Sequence, residues 1–185
     1  MTIIVADTTC GLPRSMLTER GIPVIPQVVI FGEDSFHDDR DLDTGTFLQK
    51  LKASKALPKT AAPEPPLYFP VFEEARKKKE SVIVVAPTGK ASGTVRSAQT
   101  AAQEFPDVDV RIVDTQTISC NLGSLVLLAD DMARAGGSAD EIVARLNEMI
   151  PRGRIYFLVD TLEYLAKGGR IGGAKRLVAE LLEVS

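Results

Sequence analysis

Short apolar runs rich in β-branched residues recur along this chain: Thr2–Ala6 (TIIVA), Ser81–Ala86 (SVIVVA), Val108–Val113 (VDVRIV) and Arg154–Val159 (RIYFLV). Each is too short for a core helix and reads as a strand, and Thr2–Ala6 and Ser81–Ala86 have the pattern of strands covered on both faces. A strand of that kind needs helices above and below it, and helical stretches do separate the runs. Alternating strands and helices build a parallel sheet with right-handed crossovers. The expected fold class is therefore α/β: a three-layer α/β/α domain with a mainly parallel sheet over residues 1–150. Residues 151–185 read as the start of a second, incomplete α/β domain. An amphipathic segment, Ala174–Leu182, opens that unit with little chain left to complete it.

Local signals fill in the elements. A short helix is expected over Pro13–Arg20, stopped by Gly21. Ile22–Phe31 is strand-like, and its two prolines suggest an edge position or a start after Pro26. Gly32-Glu33-Asp34 turns the chain, and Phe36-His37-Asp38-Asp39 reads as loop. Asp43 is placed to cap a helix over Thr44–Ala53. Leu57–Pro66 carries Pro58, Pro63, Pro65 and Pro66 and is expected to be loop. Helices follow over Leu67–Lys79, Gly93–Phe105, Leu122–Ala135, and Ala139–Met149 capped by Ser138, with a short one over Leu162–Lys167. The Arg76-Lys77-Lys78-Lys79 tail is a solvated helix end, where cations suit the dipole.

Composition removes several functions. The net charge of −3 offers no basic footprint for nucleic acid or anionic membrane. No apolar run approaches the ~20 residues of a membrane span, and the N-terminus reads as a strand, not a leader. Two cysteines cannot form a secreted disulfide framework, so a cytoplasmic location is expected.

Ligands of open parallel sheets bind outside the carboxyl ends of the strands. The first strand delivers Asp7-Thr8-Thr9 there, and the second delivers Thr88 through Thr94. The third delivers Asp114 through Ser119, with Asn121 and Gly123 just beyond. Ser92-Gly93-Thr94 opens a helix, where free N–H groups and a hydroxyl suit a carboxylate or phosphate. Taken alone, Ser92 would be an ordinary N-cap; three hydroxyl-rich loops on one edge favour a site. A nucleophile would need a base beside it. The sole histidine, His37, reads as a solvated loop residue. Asp38, Asp39, Asp41 and Asp43 are a poor metal set. Neither Gly-x-x-x-x-Gly-Lys-Ser/Thr nor Gly-x-Gly-x-x-Gly is present. Asp7 and Asp114 are better suited to bracing their loops than to catalysis. The expectation is a small anionic ligand, with no catalytic residue, metal or cofactor.

Several stretches carry a resemblance. They are Asp7-Thr8-Thr9-Cys10-Gly11-Leu12-Pro13, Ile22-Pro23-Val24-Ile25-Pro26, Lys59-Thr60-Ala61-Ala62-Pro63, and Ala91-Ser92-Gly93-Thr94-Val95-Arg96-Ser97-Ala98. Val113-Asp114-Thr115 leading to Asn121-Leu122-Gly123 follows, and then Asp160-Thr161-Leu162-Glu163-Tyr164-Leu165-Ala166-Lys167-Gly168-Gly169-Arg170-Ile171. In order and spacing the chain resembles the DegV family of bacterial fatty-acid-binding proteins. The resemblance implies a long-chain fatty acid held between two domains, its carboxylate on hydroxyls and main-chain amides. It also implies a carrier that presents the acid to a fatty acid kinase for phospholipid synthesis. Ser92 matches the family's Ser-Gly-Thr serine, and Thr60 the threonine of its Thr-Ser-Gln-Pro loop. The expected ligand-binding residues are Thr60, Ala61, Ser92, Gly93, Thr94, Ser119, Asn121, Gly123 and Arg170. Ala61 and Ala62 replace the family's usual Ser and Gln, and Gly11 replaces a common Asp. Without most of the second domain, the chain is expected to bind lipid weakly or to recover a roof as a homo-oligomer. The competing readings are an enzyme using Asp7 or Asp114, and an interaction module without ligand.

Overall fold

The computed structural model describes residues 2–170. They fall into two compact units, the first ending at Ile155 and the second beginning at Tyr156. The sequence-expected helix over Ala174–Leu182 lies outside the described residues.

The first unit begins with β1 (Thr2–Asp7), α1 (Arg14–Glu19), β2 (Val24–Ile25), β3 (Val28–Phe31), β4 (Asp34–His37) and α2 (Thr44–Ala53). It continues through β5 (Lys59–Ala61), α3 (Phe69–Lys78), β6 (Ser81–Ala86), α4 (Thr94–Gln103), β7 (Val110–Asp114), α5 (Ser119–Arg134) and α6 (Ala139–Met149). The central sheet runs β2-β1-β6-β7 with every pairing parallel. Its strands alternate between two cores. Ile4, Ala6, Ile83, Val85 and Val113 face Leu122, Val126, Ile142 and Leu146. Val5, Val82, Val84 and Ala86 face Tyr68, Phe72, Ala98 and Phe105. Side chains of successive strand residues point to opposite faces, so continuously apolar strands demand cover on both. The expected α/β fold with three layers is therefore the observed one.

The sequence reading needed correction at its edges. Ile22–Phe31 is not one strand: Pro26, which has no N–H to give a ladder, separates β2 in the parallel sheet from β3 in a second sheet. That second sheet is antiparallel, ordered β4-β3-β5. Phe36 and His37, expected in a loop, belong to β4 and pair with Val29 and Val28. Leu57–Pro66 is not all loop, because β5 pairs with β3 at the sheet's edge. No proline falls among its three paired residues, and an edge strand tolerates prolines on either side. Arg154–Val159 does not form a strand. An apolar run becomes one only when a neighbour takes its N–H and C=O groups, and no described residue pairs with it; Leu158 is fully exposed. The second unit holds one described helix, α7 (Glu163–Lys167).

The caps at Asp43 and Ser138 are as expected. Asp43 accepts from Thr46 N–H at 2.8 Å, and Ser138 forms a reciprocal capping box with Glu141. In the α3–α4 layer the Tyr68 hydroxyl is buried with no hydrogen-bond partner among the described residues. An unsatisfied buried hydroxyl costs roughly 1–3 kcal/mol. Tyr68→Phe is therefore expected to raise the urea midpoint, gaining about 1 kcal/mol with the ring packing kept. A destabilised variant would show that the hydroxyl has a partner in solution.

Candidate functional site

The carboxyl end of the parallel sheet gathers three loops, and a buried polar chain ties two of them together. β1 ends in Asp7, which is 2% exposed. One of its oxygens, Oδ1, accepts from the Thr9 N–H at 2.9 Å and the Thr9 hydroxyl at 2.6 Å. Its other oxygen, Oδ2, accepts from Gln27 Nε2 at 2.7 Å. The same nitrogen donates to Thr94 Oγ1 at 2.8 Å. The Thr94 and Ser92 hydroxyls lie 2.7 Å apart, and the Thr94 N–H donates to Ser92 Oγ at 3.2 Å. Gln27 and Thr94 are buried, whereas Ser92 is half-buried and ends the chain nearest solvent. Burial pushes the Asp7 carboxyl up, and hydrogen bonds from Thr9 and Gln27 oppose that shift.

Ser92 is not the N-cap of α4. Gly93 holds that position with no side-chain cap. A Cβ on Gly93 would stand 3.2 Å from the Ala62 Cβ, so glycine permits the 59–63 segment to lie against the helix start. The Ser97 hydroxyl anchors that segment by donating to the Pro63 carbonyl. Thr60 and Ala61 are exposed in β5, opposite Val29 and Val28.

The third loop opens α5, which starts at Ser119, earlier than the expected Leu122. Gly123 is packed on the Thr8–Leu12 turn: a Cβ there would stand 2.6 Å from the Cys10 carbonyl oxygen. Gly11 closes the turn at φ +66, with its own Cβ position 3.2 Å from Ser119 Oγ. Asn121 donates to Thr117 Oγ1 at 3.1 Å. The helix start at Gly93 thus lies against Ala62, the residue after Thr60–Ala61 of β5, and Ser119 and Gly123 lie against the turn after β1. Arg170 belongs to the second unit, exposed, and donates to the Gly168 carbonyl.

The groups set aside as catalysts are occupied. Asp114 accepts from the Gly89 N–H at 3.2 Å and the Gln116 N–H at 2.9 Å, bracing its loop. His37 Nδ1 lies 2.6 Å from Asp41 Oδ2. Asp41 is lowered to about 2, chiefly by the His37 N–H it accepts. Among the described residues no group of three or more His, Cys, Asp or Glu is placed to hold a metal. Gln27 escaped the sequence reading. Its one signal is a polar side chain just after Pro26 in an otherwise apolar run.

The fold and this edge define a class: doubly covered parallel α/β domains whose hydroxyl-lined strand ends are suited to receiving a small acceptor group. A family model described as "Uncharacterised protein, DegV family" matches residues 1–185. The chain belongs to the DegV family. A DegV domain-containing protein of Deinococcus radiodurans is 36% identical over 181 residues, covering 98% of this chain and 64% of its own length. A solved DegV family protein of Thermus thermophilus, described for its fatty acid binding, superposes with a TM-score of 0.86 at 35% identity. That match covers 98% of this chain and 64% of the other. DegV of Bacillus subtilis, described as a fatty acid binding protein, gives 0.85 at 28% identity over 96% of this chain and 64% of its own. This chain therefore spans a little under two thirds of the length of these relatives.

Proposed function

We propose that this chain binds a long-chain fatty acid by its carboxylate at the edge formed by Ser92–Thr94, Thr60–Ala61 and Ser119–Gly123, and carries it without chemical change. The observation that carries the reading is Ser92. Its hydroxyl ends a buried hydrogen-bonded chain at the start of an uncapped helix, in a fold shared with proteins described as fatty acid binding. Arg170, the assignment of residues 151–185 to a second domain, and presentation of the acid to a fatty acid kinase come from the family resemblance and belong to the same proposal. Cys10 and Cys120 as free thiols fit a reducing cytoplasm. No helix among the described residues is long and apolar enough to cross a membrane.

Burying each CH₂ contributes about 0.8 kcal/mol, and a hydrogen bond to a charged group about 1.5–3 kcal/mol. The tail therefore supplies most of the affinity, and the head group sets its orientation. Denaturing the purified protein and analysing the released lipid by mass spectrometry is expected to show fatty acid. Ser92→Ala is expected to weaken binding about tenfold or more. Protein that carries no acid and takes up none on titration would overturn the proposal. Turnover abolished by Asp114→Asn would put the enzyme reading in its place.

A further inference from the structure

We infer that Asp7, Gln27 and Thr94 are positioning residues that hold the Ser92 hydroxyl as an outward-facing donor, so that the site selects an acyl carboxylate over an alcohol of equal length. The inference deepens the fatty acid reading and rests on it for the identity of the ligand.

Asp7 Oδ1 already takes two donors, the Thr9 N–H and hydroxyl. Its Oδ2 is then free to act as acceptor toward residue 27. An amide facing an ionised carboxylate oxygen turns its NH₂ toward it, because two oxygens at that separation repel. The orientation of Gln27 is thus fixed by Asp7. The Gln27 amide has one further N–H, and it points at Thr94 Oγ1 at 2.8 Å. Thr94 Oγ1, now an acceptor, keeps its own proton, and the hydroxyl 2.7 Å away on Ser92 is the partner for it. Ser92 Oγ also receives the Thr94 N–H. With two donors on its oxygen, Ser92 has its proton left over, and it is the half-buried member of the chain. Polarity therefore runs one way, from the acceptor at Asp7 to a donor at the surface. Such chains of hydrogen bonds also polarise each other. A carboxylate can only accept at that point, whereas an alcohol offers a neutral and weaker acceptor.

Two experiments test the relay. The first measures affinities for a fatty acid and the fatty alcohol of the same length. Asp7→Asn lets residue 7 present either oxygen or NH₂ to Gln27, and Gln27→Met ends the chain at similar volume. Each is expected to lower the acid-to-alcohol affinity ratio roughly tenfold, mostly through the acid. In a Ser92→Ala background Asp7→Asn is expected to leave that ratio unchanged, because its effect passes through Ser92. Equal losses for acid and alcohol, or an undiminished effect without Ser92, would overturn the relay in favour of a merely structural role. The second is neutron diffraction of the ligand-free protein after deuterium exchange. Deuterium on Gln27 directed at Asp7 and Thr94, with the Thr94 deuteron on Ser92 Oγ, is the expected result. A Ser92 deuteron directed at Thr94 would refute the relay whatever the protein binds. The expected deuterium pattern in a protein that binds no acid would instead sink the fatty acid reading alone.

Discussion

Phe72→Ala is expected to cost about 3–5 kcal/mol of folding stability, the range for truncating a fully buried aromatic. Phe72 has no solvent exposure. Its ring stacks on Tyr68 at 5.9 Å and meets Phe105 edge-on at 5.4 Å. It also packs in the core formed with Val82 and Val84 of β6. Truncation removes both the buried area and the partners of two other rings, and the surrounding helices can collapse only partly into the space. For a chain of this size the melting temperature should fall by roughly 6–20 °C. The same core contains Ala98 and Ala101 of α4, so loosening it loosens the seat of the helix that carries Thr94. A loss below about 1 kcal/mol in urea unfolding would mean that the α3 layer is not closely packed on the sheet.

That core is legible in the sequence. Val5, Val82 and Val84 lie in runs that are apolar on both faces between polar ends, and such runs have one economical solution, a sheet covered on both sides. Asp43 and Ser138 were equally readable, since a cap is a local event between residues three apart. What failed was pairing. Thr60 belongs to a strand because β3 lies beside it, and nothing within Lys59–Ala61 announces that neighbour. Tyr156 to Val159 have the composition of a strand and no described partner. The site divides in the same way. Ser92 and Thr94 could be named from their place after a buried strand. The direction of the hydrogen bond between them is set by Gln27, 67 positions away from Thr94 in the chain, and by Asp7 a further 20 from Gln27. A contact of that separation exists only once the sheet has brought β1 beside β6.

Gly123→Ala provides the sharper test of the site's construction, because two effects of known sign oppose each other there. Position 123 lies inside α5, where replacing glycine by alanine ordinarily favours the helix by about 1 kcal/mol. The added Cβ would stand 2.6 Å from the Cys10 carbonyl oxygen and 2.8 Å from the Leu12 side chain. The Leu12 contact is with its branching carbon, and the Cys10 carbonyl is backbone that must carry its turn with it. Overpacking of this kind costs about 1–3 kcal/mol, so the clash is expected to win and the variant to lose about 1 kcal/mol net. Ser124→Ala, at the exposed next position, should stay within about 0.5 kcal/mol of wild type. The displaced turn contains Thr9, whose N–H and hydroxyl hold Asp7, so Gly123→Ala is also expected to weaken carboxylate binding. A variant stabilised by about 1 kcal/mol, as an unhindered helix position would be, would show that α5 and the Thr8–Leu12 turn do not approach this closely in solution. The bracing of Asp7, on which the polarity of Ser92 depends, would then need another source.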